Sequence, residues 1–288
     1  MNSTDQFFES KVLGHPSGLF VLFFTEMWER FSYYGMRALL VLFLTSSLMD
    51  EGWAWPREHA MALFGSYVGL VYLSTMMGGY FADKVIGYRW AVVLGALLMT
   101  LGHGSMTIET PWAIYIGLGL LVIGNGFFKP NMTSIISEMY KDRPEKKDGA
   151  YTIFYMGVNS GAFLGILLCG YLGEQVGWSL GFGLAGIFML FGLVQFWLAQ
   201  NIFGNIGLKP NKNDKNSEEA KDNDKRVPFG TVQLVAIVVM VVLGLLWVIN
   251  APATTISNGS FNLFAFLGGD GNNIAILTAL GLFLILLL

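Results

Sequence analysis

Four charged side chains interrupt an apolar run in "TEMWERFSYYGMR" (25–37): Glu26, Glu29, Arg30 and Arg37. At 100° per residue they share one helical face with Tyr33 and Tyr34, about 140° wide and ~17 Å long. Such a set can hold and release protons on its acids. It can pair a guanidinium with those acids or with a ligand carboxylate, and it can hydrogen-bond through its phenols. Each charge at mid-membrane costs about 2.5–3.5 kcal/mol, so four cost on the order of 10 kcal/mol. Pairing lowers that cost without turning it into a gain. A purely structural role therefore accounts poorly for the stripe. Lys129, in "GNGFFKPN" (124–131), adds a fifth charge at span depth. If it faces the stripe, the set is net positive, which suits an anionic ligand group or a carboxylate that takes up a proton. If it instead extends to the interface, it is a snorkelling lysine. Tyr72, Tyr155 and Asn159 also lie at span depth, where hydroxyls and an amide can line an aqueous cavity or bond a neighbouring helix.

The elements that carry these residues are membrane helices. The chain is 54% hydrophobic and 13% charged, against about 25% charged for a soluble domain. Apolar runs near 18–47, 58–82, 89–108, 112–137, 149–173 and 178–200 predict six spans, followed by a seventh near 230–251. An eighth begins near 273 and meets the end of the sequence at "LFLILLL" after roughly 15 of the ~20 residues a span needs. The expectation is a chain cut inside a helix, part of a longer protein. Thirteen of the seventeen lysines and arginines fall on one side of this topology and only Arg57 on the other, with Arg30, Arg37 and Lys129 inside spans. That asymmetry predicts a cytoplasmic N-terminus.

The stretch "KPNKNDKNSEEAKDNDKR" (209–226) is polar and lacks aromatics, and it reads as a cytoplasmic linker. The organisation expected is a six-helix transmembrane bundle over 1–200, a charged linker over 201–229 and a transmembrane hairpin over 230–288 with its second helix incomplete. A net charge of −3 gives no reason to expect a nucleic-acid partner. The single cysteine, Cys169, excludes an internal disulfide. No His/Cys/Asp cluster has metal-ligand spacing, and His15, His59 and His103 fall in loops or near span ends. The expectation is neither enzyme, metal site nor cofactor.

Several motifs are familiar in this order. "EMWERFSYYG" (26–35) resembles the ExxERFxYYG signature of the proton-dependent oligopeptide transporter family. "GGYFADKVIGYRW" (78–90) is similar to that family's second-to-third-helix loop, "FFKPN" to its fourth-span lysine motif and "YTIFYMGVNSGAF" (151–163) to its fifth-span signature. The resemblance covers the first 200 residues. It implies an all-α polytopic membrane protein of the major facilitator superfamily: the N-terminal six-helix bundle plus a following hairpin, with the C-terminal six-helix bundle of the full-length protein as its partner. The implied activity is proton-coupled symport of di- and tripeptides by alternating access, in the inner or plasma membrane.

By position, the resemblance assigns Glu26, Glu29 and Arg30 to proton coupling, with Lys129 pairing with them. It assigns Arg37 and Lys129 to the peptide carboxylate, and Tyr33, Tyr34, Tyr72, Tyr155 and Asn159 to the rest of the substrate. Asp83 and Arg89 would belong to a cytoplasmic gate. Ser160 and Phe81 depart mildly from the family pattern. Gly65 stands where animal members carry a histidine, which leaves proton handling to carboxylates. The alternative reading is a proton-coupled carrier of another small anion such as nitrate. The relatives that move nitrate tend to lose the acidic motif that this chain keeps.

Overall fold

The computed structural model describes residues 11–209, 231–267, 273, 277–278 and 280–281. The expected linker and most of the expected eighth span lie outside them. The chain divides into two compact units. One holds residues 1–54 and 71–210, and the other holds 55–70 and 211–288.

The first unit opens with a hairpin, β1 (Lys11–Val12) paired antiparallel with β2 (His15–Pro16). The sequence reading did not foresee it. Leu13 and Gly14 turn it with φ of 52° and 78°, the two positive angles that a two-residue type I′ turn requires. Pro16, extended and without an N–H to leave unpaired, then leads into α1 (Ser17–Thr45). The remaining helices are α2 (Arg57–Phe81), α3 (Tyr88–Met106), α4 (Pro111–Met139), α5 (Lys147–Gln175) and α6 (Trp178–Leu198). Their ends fall within a few residues of the expected spans. Thr110 caps α4, its hydroxyl accepting from the Ala113 amide, and Pro111 occupies the first turn. The end of α2 differs from expectation. It runs on through a π-type turn, Ala82–Ile86, and stops only at Gly87 with φ of 81°. A side chain at Gly87 would also collide with the backbone of Leu208 and Lys209.

Among the described residues, four helices are long and apolar enough to cross a membrane: Arg57–Ile86, Pro111–Met139, Pro144–Gln175 and Trp178–Leu198. Helix α1 carries four charges, and its 29 residues rise ~43 Å, beyond the ~30 Å hydrocarbon core.

Backbones meet closely in two pairs. In α5, a side chain at Gly161 or Gly165 would collide with the carbonyls of Met27 and Phe31 on α1. In α3 and α4, Gly95 and Gly124 face each other's carbonyls in the same way. Helix α6 packs against both α1 and α3. At one end Phe43, Trp53, Trp178 and Phe182 form an aromatic cluster, and Phe31 and Trp28 meet Phe188 farther along. The last turns of α2 reach α4 through Gly78, which abuts the Gly126 carbonyl, and through the Ser74 hydroxyl, which donates to Val122 O at 2.7 Å. Pro130 has no N–H to give that Gly126 carbonyl its helical partner.

In the second unit, α7 (Thr231–Ile256) covers the run where the seventh span is expected, with Pro252 inside it. Val248 touches Gly69. Buried Asn250 donates to Asn262 Oδ1 and accepts from the Leu263 amide, which pins the chain leaving α7.

The hairpin is latched where α4 meets α5. His15 Nδ1 lies 2.7 Å from the Tyr140 hydroxyl, and Lys146 Nζ donates to Gly14 O at 3.3 Å. Burial, with the Lys146 charge second, lowers the His15 pKa from its ordinary value. The folded latch thus binds fewer protons than the open chain. Its contribution is complete above the ordinary value of about 6.5 and is lost as pH falls through the lowered one. The expected result is a His15 NMR titration midpoint below 6.5 that rises in Lys146→Gln. A midpoint at or above the ordinary value contradicts the latch.

Candidate functional site

The charged stripe faces the interior of the first unit. Glu26, Glu29 and Arg30 are buried, Glu29 completely. The one N–H on Arg30 Nε serves both acids. It donates to Glu26 Oε1 at 2.7 Å and stands 2.8 Å from Glu29 Oε2. Because that hydrogen points at Glu26, Glu29 Oε2 has the charge contact without an aligned hydrogen bond. The other oxygen, Glu29 Oε1, accepts from Asn125 Nδ2 of α4 at 3.0 Å. Two carboxylates thus share one guanidinium, leaving the trio one negative charge in excess, which one proton would cancel.

A second cluster continues along α1. The guanidinium of Arg37 lies 5.5 Å from the Tyr33 ring centre and 5.6 Å from that of Tyr34, and that of Arg30 lies 5.7 Å from the Tyr33 ring centre. The two rings meet edge to face. The Tyr33 ring thus lies within reach of both the cation of the buried trio and the half-buried Arg37, and its quadrupole can attract each.

Lys129 stands near enough for its charge to act on Glu29, without an ion pair. No carboxylate lies within 4.0 Å of its amine among the described residues. Instead Nζ sits 4.7 Å above the Tyr72 ring. The physical reason is placement: Lys129 is half-buried and reaches α2, whose end is held on α4 by Ser74 and Gly78. Tyr72 and Tyr155 are 59% and 55% exposed, and Asn159 donates to the Tyr155 carbonyl one turn back. The structure thus brings together Glu26, Glu29, Arg30, Tyr33, Tyr34 and Arg37, adds a Lys129–Tyr72 pair, and sets Tyr155 and Asn159 apart on α5.

The expected gate residues also take separate places. Arg89 is buried, and its guanidinium donates to the carbonyls of Ile206, Gln200 and Gly204 beside the Phe203 ring. Glu138 accepts from the Gly207 amide at 2.8 Å. Arg89 therefore clamps the turn after α6, while Asp83 is exposed on the π-type turn. His103, read as lying near a span end, is fully buried inside α3 with neither ring nitrogen hydrogen-bonded among the described residues.

Asn125, which hydrogen-bonds Glu29, is the residue of this cluster that the sequence reading missed. Its signal was an amide one helical turn before Lys129 in an otherwise apolar helix. Among the described residues no group of three His, Cys, Asp or Glu side chains could hold a metal.

The family model described as "POT family" matches residues 89–220. A di-/tripeptide transporter of Lactococcus lactis subsp. lactis is 34% identical over 274 residues, 93% of this chain and 52% of that protein. The peptide transporter YePEPT of Yersinia enterocolitica is 42% identical over 186 residues, 64% of this chain and 36% of that protein. A crystal structure of a peptide transporter POT in complex with sulfate superposes with a TM-score of 0.69 at 36% identity, over 92% of this chain and 52% of that one. The chain spans about half the length of the Lactococcus relative and less of the Yersinia one. Aligned along 93% of its length with one such relative and along 92% with a solved structure of another, and matched by the family model, the chain belongs to the POT family of multi-pass membrane proteins.

Proposed function

We propose that the full-length protein is a proton-coupled symporter of di- and tripeptides, working by alternating access in the inner or plasma membrane with its N-terminus in the cytoplasm. The observation that carries this reading is the buried trio Glu26–Arg30–Glu29, one negative charge in excess and hydrogen-bonded to a second helix. A charge set of this kind is expensive in lipid and has a use if a proton comes and goes. Names among the relatives support the substrate class: the Lactococcus protein is a di-/tripeptide transporter, and another family structure was solved with 5-aminolevulinic acid.

In this reading a proton neutralises one acid of the trio. Arg37 and Lys129, held over tyrosine rings rather than by carboxylates of the trio, receive the peptide carboxylate. Tyr33, Tyr34, Tyr72, Tyr155 and Asn159 contact the rest of the substrate. Residues 1–200 form one bundle, 201–229 the cytoplasmic linker and 230–288 a hairpin. The other half of the substrate site is supplied by a second six-helix bundle beyond this chain. Asp83 and Arg89 act at the cytoplasmic end of the gate, Arg89 by fixing the turn after α6. No catalysis and no cofactor enter the cycle.

The test is uptake by the full-length protein in liposomes. Radiolabelled dialanine is expected to accumulate with an inward proton gradient and to stop accumulating when an uncoupler collapses it. Excess unlabelled di- and tripeptides are expected to compete, and nitrate is not. Competition by nitrate without competition by peptides would move the assignment to an inorganic-anion carrier.

A further inference from the structure

The hydrogen bond from Asn125 to Glu29 is half used. Asn125 is 1% exposed and Glu29 0%. Nδ2 of the amide donates to Glu29 Oε1 at 3.0 Å, while Asn125 Oδ1 has no hydrogen-bond partner among the described residues. A buried amide oxygen without a partner is uncommon, and such a group marks a bound water or a working role. We propose that Asn125 is a two-state positioning residue: it donates to Glu29 when that side chain is a carboxylate and, by turning its amide over, accepts from it when it is an acid. The proposal rests on the coupling role given to Glu29 above.

The geometry decides which oxygen takes the proton. Oε2 faces Arg30 Nε at 2.8 Å, and an O–H there would set a donor against a cationic donor. Oε1 faces only the amide. A proton arriving on Oε1 first meets an NH2 group, again donor against donor. A half-turn of the amide about its terminal bond replaces Nδ2 with Oδ1, and the new O–H has its acceptor. No covalent bond on Asn125 changes, and the proton stays on Oε1. A carboxylate at 125 could serve only the acid state, and a methyl group neither.

Among the described residues, the charged and titratable groups that act on Glu29, and its amide partner, come from α1 and α4. On α1 these are Glu26, Arg30 and Tyr33, and on α4 they are Asn125 and Lys129. Helix α6 carries no titratable side chain. Helix α5 meets the α1 backbone around Glu29 through Gly161 and Gly165.

The experiment uses the full-length protein in liposomes. Asn125→Leu fills the same space without polar atoms, and Asn125→Gln keeps the amide. The ratio of gradient-driven uptake to peptide exchange is expected to fall about tenfold in Asn125→Leu, as for a buried acid left without its partner. Its pH profile is expected to move from that of the natural protein, with Asn125→Gln lying closer to the natural protein on both measures. Profiles and ratios that superimpose for all three overturn the proposal. A measurement independent of how the variants fold is the infrared difference spectrum of the unmodified protein across a pH jump. A side-chain amide carbonyl band is expected to shift together with the carboxylic-acid band, and both are expected to vanish in Glu29→Gln. An acid band with no accompanying amide shift also overturns it. If the unmodified protein shows no gradient-driven uptake at all, the symport reading fails instead. The infrared pairing then stands or falls by itself.

Discussion

Arg30→Met is expected to cost the protein about 3–5 kcal/mol, the usual penalty for removing one partner of a buried ion pair. The guanidinium is the only cation within 4.0 Å of either acid among the described residues. Without it two carboxylates face each other in an apolar bundle. The measurement is the thermal unfolding midpoint of the purified full-length protein in detergent, alongside the fraction eluting as a single species. The control is compensation. Arg30→Met combined with Glu26→Gln and Glu29→Gln removes all three charges, and it is expected to recover most of the lost stability, because the destabilisation comes from the stranded charges and not from a lost volume. An Arg30→Met protein as stable as the natural one would mean that the guanidinium does not offset the two buried acids.

Glu29→Gln is expected to abolish gradient-driven peptide uptake while leaving the protein folded and able to exchange peptide for peptide. The substitution is isosteric, and it leaves one acid to one guanidinium, so the remaining pair is neutral. Glutamine's amide oxygen can accept from Arg30 while its NH2 donates to the Asn125 amide oxygen, and the cost in stability is therefore small. What disappears is the one site on this side chain where a proton can come and go. Glu26→Gln is the comparison: Glu26 bonds Arg30 directly and has no partner on another helix among the described residues. Its loss is expected to weaken the trio without removing its link to α4. Uptake that still follows the proton gradient in Glu29→Gln would move the coupling proton elsewhere.

The charged stripe was legible in the sequence because charge inside an apolar run is a large energetic anomaly, and helical periodicity alone puts its members on one face. The helices were legible for the same reason, to within a few residues at each end. What the sequence reading missed turns on smaller energies or on neighbours far along the chain. Asn125 is neutral, so it carries no comparable anomaly, and its importance appears only when α4 lies beside α1. The rotamer of Lys129 is decided by the ring of Tyr72 on α2, a contact that no periodicity encodes. Arg89 sits in a motif that invites pairing with Asp83, six residues before it, yet three carbonyls of the turn after α6 claim it. His103 falls near the end of its helix in sequence. Burial depends on what crosses that end, and Gly186 of α6 brings its backbone against it.

The glycine contacts carry a mechanical consequence. Where backbone touches backbone there are no rotamers to absorb a displacement, so α1 with α5, and α3 with α4, behave as two stiff plates. The hydrogen bond between Glu29 and Asn125 is a bolt across the seam between those plates, joining α1 of one to α4 of the other. A bolt on a seam has leverage that the same bond within a plate would lack. An ångström of slack there becomes a tilt of α1 and α4, each more than 40 Å long, and in the proposed cycle the titration of Glu29 is thereby geared to the angle between them.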